Sequence, residues 1–174
     1  MKRLPGILGV GAVFLSMLGA PALAGRAAPA AATPRCHTGR LYIAPVPNSG
    51  QGGVGHLGLV FKVTSLAQNP CYMYGYPGAQ LVDANAHDIP TVLQWGHGYL
   101  FGNPPKQHVT LQTGASAYFK LEWVHFPTPG QACPTAGYLL VTPPDERTTI
   151  VVPVSLQDVC GGRIVTTPIV SSPS

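Results

Sequence analysis

The chain has 174 residues, of which 45% are apolar and only 9% charged, with 21 glycines and 19 prolines. That composition excludes a helical bundle, whose exposed faces need far more Glu, Lys and Arg. The formal charge is +4, falling to about +2 once Lys2 and Arg3 are set aside; without a Lys/Arg cluster there is no electrostatic footprint for nucleic acid, nor one that calls for an acidic partner.

Lys2 and Arg3 form a short positive n-region, an apolar run follows from Ile7 to Leu18, and Ala22-Leu23-Ala24 supplies the small-x-small cleavage pattern. These features predict a secretory signal peptide over residues 1–24. The run is shorter than the ~20 apolar residues of a membrane span, and Gly and Pro interrupt it. No cysteine follows the cleavage position, so the expectation is a soluble exported protein, secreted or associated with the cell envelope, with no membrane anchor after signal cleavage. Residues 25–35 are rich in Ala and Pro without periodicity, which predicts a flexible leader. One domain is expected over residues 36–170 and a short tail over 171–174.

Along the domain, residues 40–46 predict a first strand, with Pro45 and Pro47 suiting an edge. Gly50-Gln51-Gly52-Gly53-Val54-Gly55 predicts a turn. His56 to Thr64 is the clearest strand: Leu57, Leu59, Phe61 and Val63 alternate with His56, Gly58, Lys62 and Thr64, Val60 being the apolar exception. Asn69-Pro70 ends it and leads into Cys71-Tyr72-Met73-Tyr74-Gly75-Tyr76-Pro77-Gly78, where Cys71 and Met73 should face the core and the three tyrosines the other way. Ala79 to Asp83 and Ile89 to Trp95 are further candidate strands, with a turn at Asp83–Ala86. Gly96 to Pro105 reads as a loop. Strands follow at Val109–Leu111, Ser116–His125, Gly137–Thr142, Thr148–Val154 and Arg163–Thr167. In the longest of these, Phe119, Leu121 and Trp123 share one face and Tyr118, Lys120 and Glu122 the other. Short strands between regular turn signals, with no helical period, predict an all-β antiparallel sandwich.

Export would place Cys36, Cys71, Cys133 and Cys160 where thiols pair. Four cysteines allow three connectivities. Cys36 and Cys71 lie symmetrically about the glycine-rich turn, and Cys133 and Cys160 about Pro143-Pro144-Asp145-Glu146. If each segment is a hairpin tip, each pair sits at the open end of its own hairpin. The expectation is therefore Cys36–Cys71 and Cys133–Cys160, each closing a loop worth roughly 3–4 kcal/mol in the chain-entropy description.

The order of parts resembles the domain-of-unknown-function family 4232 of exported actinobacterial proteins. The matching pieces are Cys36 with Leu41, the glycine-rich turn, Gly58-Leu59-Val60-Phe61-Lys62-Val63-Thr64, Cys71 with Tyr74-Gly75-Tyr76-Pro77-Gly78, Leu81-Val82-Asp83, the strand ending near Glu122, Cys133 and Cys160. The resemblance implies an immunoglobulin-like sandwich, often behind a lipoprotein signal; this sequence departs from it in having no lipidation cysteine. It carries over no assigned activity.

The chemistry-bearing residues are few. His37, His56, His87, His97, His108 and His125 show no His-x-His, HExxH or CxxC spacing, so no metal and no cofactor is expected. There is no Gly-x-Ser-x-Gly elbow, and paired cysteines would leave no thiolate. Asp145 and Glu146 sit at a turn tip, where solvated carboxylates are ordinary. What stands out is aromatic: Tyr72, Tyr74 and Tyr76 on one face, and Trp95, Tyr99 and Phe101 around a glycine-rich loop. Such rings stack on sugars or grip extended peptides. The expected function is a non-enzymatic exported module that binds a cell-wall glycan or another exported protein. The alternative is a secreted hydrolase or metal-binding protein with a site assembled from distant loops.

Overall fold

A computed structural model describes residues 32–173; the signal peptide and most of the leader expected from the sequence lie outside this range. Twelve strands fall in the order β1 (Leu41–Pro45), β2 (Gln51–Gly53), β3 (His56–Ser65), β4 (Cys71–Met73), β5 (Gly78–Val82), β6 (Asp88–Ile89), β7 (Val92–Trp95), β8 (Val109–Leu111), β9 (Ser116–Val124), β10 (Ala136–Thr142), β11 (Ile150–Leu156) and β12 (Arg163–Thr166). The main sheet runs β1-β3-β9-β12-β7, with β2 folded back on β3. A second sheet runs β11-β10-β5-β6, and β4 pairs with β8. The named pairings are antiparallel except β12 with β7, which run parallel. Among the described residues no helix is long and apolar enough to cross a membrane.

Alternation along the strands builds the core. Phe61 and Val63 of β3 and Phe119 and Leu121 of β9 are buried on one face of the main sheet, and the rings of Phe61 and Phe119 stack at 5.1 Å between centroids. Leu81 of β5, Leu139 and Val141 of β10 and Val152 of β11 join the same buried cluster from the second sheet. Two sheets thus share one apolar layer, each fully buried large side chain contributing about 1.5–3 kcal/mol relative to exposure. Trp123 ends the row, its indole N–H donating to the Gln157 carbonyl at 3.0 Å, which satisfies a polar group that burial would otherwise strand.

Both disulfides join the expected partners, Cys36 with Cys71 and Cys133 with Cys160. The second sits at the open end of the β10–β11 hairpin, where the Val159 and Gly161 N–H groups donate to Pro134 and Ala132 and carry the pairing past the strand ends. The first is arranged differently. Residues 34–36 lie parallel to β4, with the Cys36 N–H donating to Tyr72 and the Tyr72 N–H to Pro34, both at 2.9 Å. Cys36 therefore meets Cys71 from beside β4 and not across the β1–β3 hairpin.

Two departures from the sequence reading matter below. The strand expected over Ile89–Trp95 is two strands in two sheets: Ile89 pairs with Leu81, whereas Val92–Trp95 pair with β12. Pro90 cannot donate to a ladder, and Thr91 caps the break by donating its hydroxyl to the Ile89 carbonyl and accepting from the Leu81 N–H. The glycine-rich turn is itself a hairpin, β2 with β3, whose tip is Val54-Gly55 with φ of 50° and 77°.

Candidate functional site

Where the tyrosine stretch leaves β4, Cys71 and Met73 are buried as expected and Tyr72, Tyr74 and Tyr76 are half-buried, but the three rings do not share one face. Gly75, at φ 108°, lets the chain turn between two of the tyrosines, and its carbonyl accepts from the Ile169 N–H at 2.8 Å. That backbone angle is open to glycine and strained for any other residue. It leaves Tyr74 and Tyr76 with different neighbours. The Tyr74 ring stacks on His108 at 4.6 Å, with the Lys106 ammonium 5.6 Å from its centroid. Tyr72 also meets His108, at 5.0 Å. Tyr76 instead lies beside Trp95, ring centroids 6.0 Å apart and planes within 14° of parallel.

Trp95 comes from the end of β7, and the Pro90 break brings it here by moving the chain from the second sheet to the edge of the first. Trp95 is 63% exposed, yet both members of the pair are tethered by their polar ends. The Tyr76 hydroxyl donates to Asn103 Oδ1 at 2.9 Å, and the Trp95 indole N–H donates to the Pro77 carbonyl at 3.2 Å. Rings fixed in this way lose little freedom when something stacks on them.

Tyr74, Tyr76 and Trp95 line an open groove of about 550 Å³, with Lys106 and the Pro143–Glu146 turn on its walls. The two carboxylates there are already engaged. Asp145, at φ 61°, accepts from Arg35 through its own backbone carbonyl at 3.1 Å, and Arg35 Nη1 lies 3.9 Å from its Oδ2. Glu146 Oε2 accepts from the Thr38 N–H at 3.0 Å and the Thr38 hydroxyl at 2.9 Å, and His37 Nδ1 lies 3.1 Å from Oε1. The Thr38 backbone N–H is the main reason the Glu146 carboxyl titrates below its ordinary value, against a smaller opposing effect of burial.

The aromatic residues of the glycine-rich loop do not join this groove beyond Trp95. Phe101 is 4% exposed; the Cε2–Cζ end of its ring lies against Gly58 of β3, where a side chain at 58 would collide with it, and this burial keeps it from a ligand. Tyr99 is exposed but its ring meets His56 at 4.3 Å, tilted by 36°, at a separate small cleft that His97 and Arg163 also line. The residue that organises the loop is one whose position in a strand pattern gives no hint of it. Glu122, expected on the solvent face of β9, is 1% exposed. Its Oε1 accepts from the Tyr99 N–H at 2.8 Å and its Oε2 from the Leu100 N–H at 2.9 Å. His56 Nδ1 lies 2.8 Å from Oε1, out of line for a hydrogen bond. A hint was available in the glycines at 96, 98 and 102: such a loop can lie close enough to a sheet for its backbone to reach a carboxylate. Among the described residues no three His, Cys, Asp or Glu side chains converge as metal ligands would.

Fold and groove together define a disulfide-tied, all-β domain with a preorganised aromatic surface. The family described as Domain of unknown function (DUF4232) matches residues 36–170, and the chain belongs to it. No curated protein and no solved structure matches the chain.

Proposed function

We propose that this protein is an exported, non-enzymatic binding module of the cell envelope, and that the groove formed by Tyr74, Tyr76 and Trp95 receives a cell-wall glycan. The observation that carries this reading is the near-parallel Tyr76–Trp95 pair, held at both polar ends and open to solvent. A rigid, exposed aromatic ring such as Trp95, backed by Tyr76, offers contact area at low entropic cost to the C–H face of a sugar ring. The polar groups around it, Thr142 and Lys106, are the kind that bond sugar hydroxyls. Hydrolysis is the weaker reading because Glu146 is committed to Thr38 and His37, which leaves no free acid–base pair in the groove. Export rests on the predicted signal peptide and fits a domain closed by two disulfides.

The test is retention of the exported chain on purified cell wall. Trp95→Ala and Tyr76→Ala should each lower affinity about tenfold, the usual scale for a central aromatic anchor, with the circular dichroism spectrum and melting temperature close to those of the unaltered protein. Tyr99→Ala, away from the groove, should leave retention as it is. Equal retention by all three variants and the parent rejects the glycan reading.

A further inference from the structure

Beside the groove lies a second open cleft, of about 470 Å³, lined by Asn103, Gln107, Lys120 and Thr167 among others. We propose that it is a second subsite of the same surface and that it takes the anionic groups, phosphate or carboxylate, of a glycan polymer whose sugar rings lie in the aromatic groove. The inference rests on the reading of that groove as a glycan site and names the ligand's charge.

Connection between the two clefts comes first. Asn103 lines the second cleft and accepts the Tyr76 hydroxyl of the first. The chain from Asn103 to Gln107 then carries Lys106 into the groove and Gln107 into the cleft. One ligand chain crossing this segment would touch both.

The sign of the charge follows from what each cation lacks. No Asp or Glu lines the second cleft. Among the described residues Lys120 has no carboxylate at ion-pair distance; its ammonium rests 5.2 Å from the centre of the Phe101 ring. Lys106 is in the same situation over Tyr74. Both cations are parked on ring faces, a contact that holds an ammonium in place while leaving its N–H groups to donate elsewhere. Asn103 adds to this. Its Oδ1 is taken by Tyr76, so the end left for a ligand is the amide donor. The backbone behind Lys120 is fixed by its N–H donating to the Thr167 hydroxyl at 2.9 Å. The carboxylates of the groove do not reverse the sign, because Asp145 lies against Arg35 and Glu146 is bound to Thr38 and His37. Donors and unpaired cations on both sides of one segment match a polymer carrying repeated negative charges.

Binding of the exported chain to two anionic glycans, polygalacturonate and a phosphomannan, measured against methyl-esterified polygalacturonate and uncharged mannan, tests this. At least one charged polymer should bind more tightly than its uncharged counterpart, and which one it is separates carboxylate from phosphate. Lys120→Gln and Lys106→Gln should each cost about two- to fivefold in affinity for that polymer, the scale of an exposed ion pair, and flatten its salt dependence. Lys120→Arg should retain both affinity and salt dependence. Trp95→Ala should weaken charged and uncharged polymers alike. Equal affinity for charged and uncharged polymers, indifference to both lysine substitutions, or equally tight binding of poly-glutamate overturns the anionic-glycan subsite. If Trp95→Ala still weakens binding in that case, the groove reading stands; if Trp95→Ala changes nothing, or none of the polymers binds, the groove reading falls with it.

Discussion

The carboxylate of Glu122 fills the space that a side chain on Gly98 would need: a β-carbon there would overlap Oε2. The loop over the main sheet is thus held by two features that require each other, a buried acid on β9 and a bare backbone above it.

Glu122→Ala should cost about 2–4 kcal/mol, because it strands the Tyr99 and Leu100 N–H groups. Gly98→Ala should cost about 1–3 kcal/mol by overpacking. The double variant should be more stable than the sum implies, since removing the acid vacates the space the new methyl group needs. Urea denaturation of all four proteins measures the coupling, and strict additivity would show that the two positions act independently.

Val54 should be the opposite case, a site where substitution stabilises. It is β-branched, 87% exposed and at φ 50° in a two-residue hairpin turn. A side chain of that shape is strained in the left-handed region, and Asn-Gly is the dipeptide such a turn favours. Val54→Asn should raise stability by about 1 kcal/mol, read as a rise in melting temperature.

Removing the disulfide at the open end of the β10–β11 hairpin, by Cys133→Ser with Cys160→Ser, should cost about 3 kcal/mol. The bond closes a separation of 27 residues. Denaturant midpoints of the double variant and of the parent, both without reductant, give the difference.

Glu146 should contribute to acid sensitivity. Its carboxyl lies below the ordinary value of 4.5 in the folded chain, chiefly through the Thr38 N–H. A lowered folded value means that the unfolded chain takes up the proton first as pH falls. The stabilisation is complete above about pH 4.5 and disappears as pH drops through the folded value. The stability gap between the parent and Glu146→Gln should be widest near neutrality and shrink steadily below about pH 4.5. A gap constant with pH would contradict this.

What could be read from the chain and what could not differ in physical kind. Period-2 alternation located β3 and β9 because each has one face on the core. Hairpin symmetry named the right partners for the cysteines but the right geometry only for Cys133–Cys160, since Cys36 reaches Cys71 from beside β4. Alternation is blind to what covers the other face. Glu122, Gly58 and Phe101 look like solvent-side strand and loop residues until a distant segment is laid over them. The split at Pro90 was missed for a related reason: the apolar residues from Ile89 to Trp95 suit a strand, and only pairing partners reveal that they belong to two sheets. Spacing alone put Tyr72 and Tyr74 together, and both meet His108, but it could not show that the turn at Gly75 sends Tyr76 elsewhere. Its partner Trp95 was legible as an exposed aromatic, but not as a neighbour of Tyr76, because that contact depends on where the split strand goes.

The way residues 34–36 lie along β4 also determines how the domain would bear load. Pro34 and Cys36 are joined to Tyr72 of β4 by backbone hydrogen bonds, and Cys36 to Cys71 by the disulfide. Tension between the chain before Pro34 and a ligand held at Tyr74 would run through sulfur to Cys71 and along Tyr72 and Met73. That path is covalent throughout, so pulling from that end would strain bonds before it peeled β1 from β3.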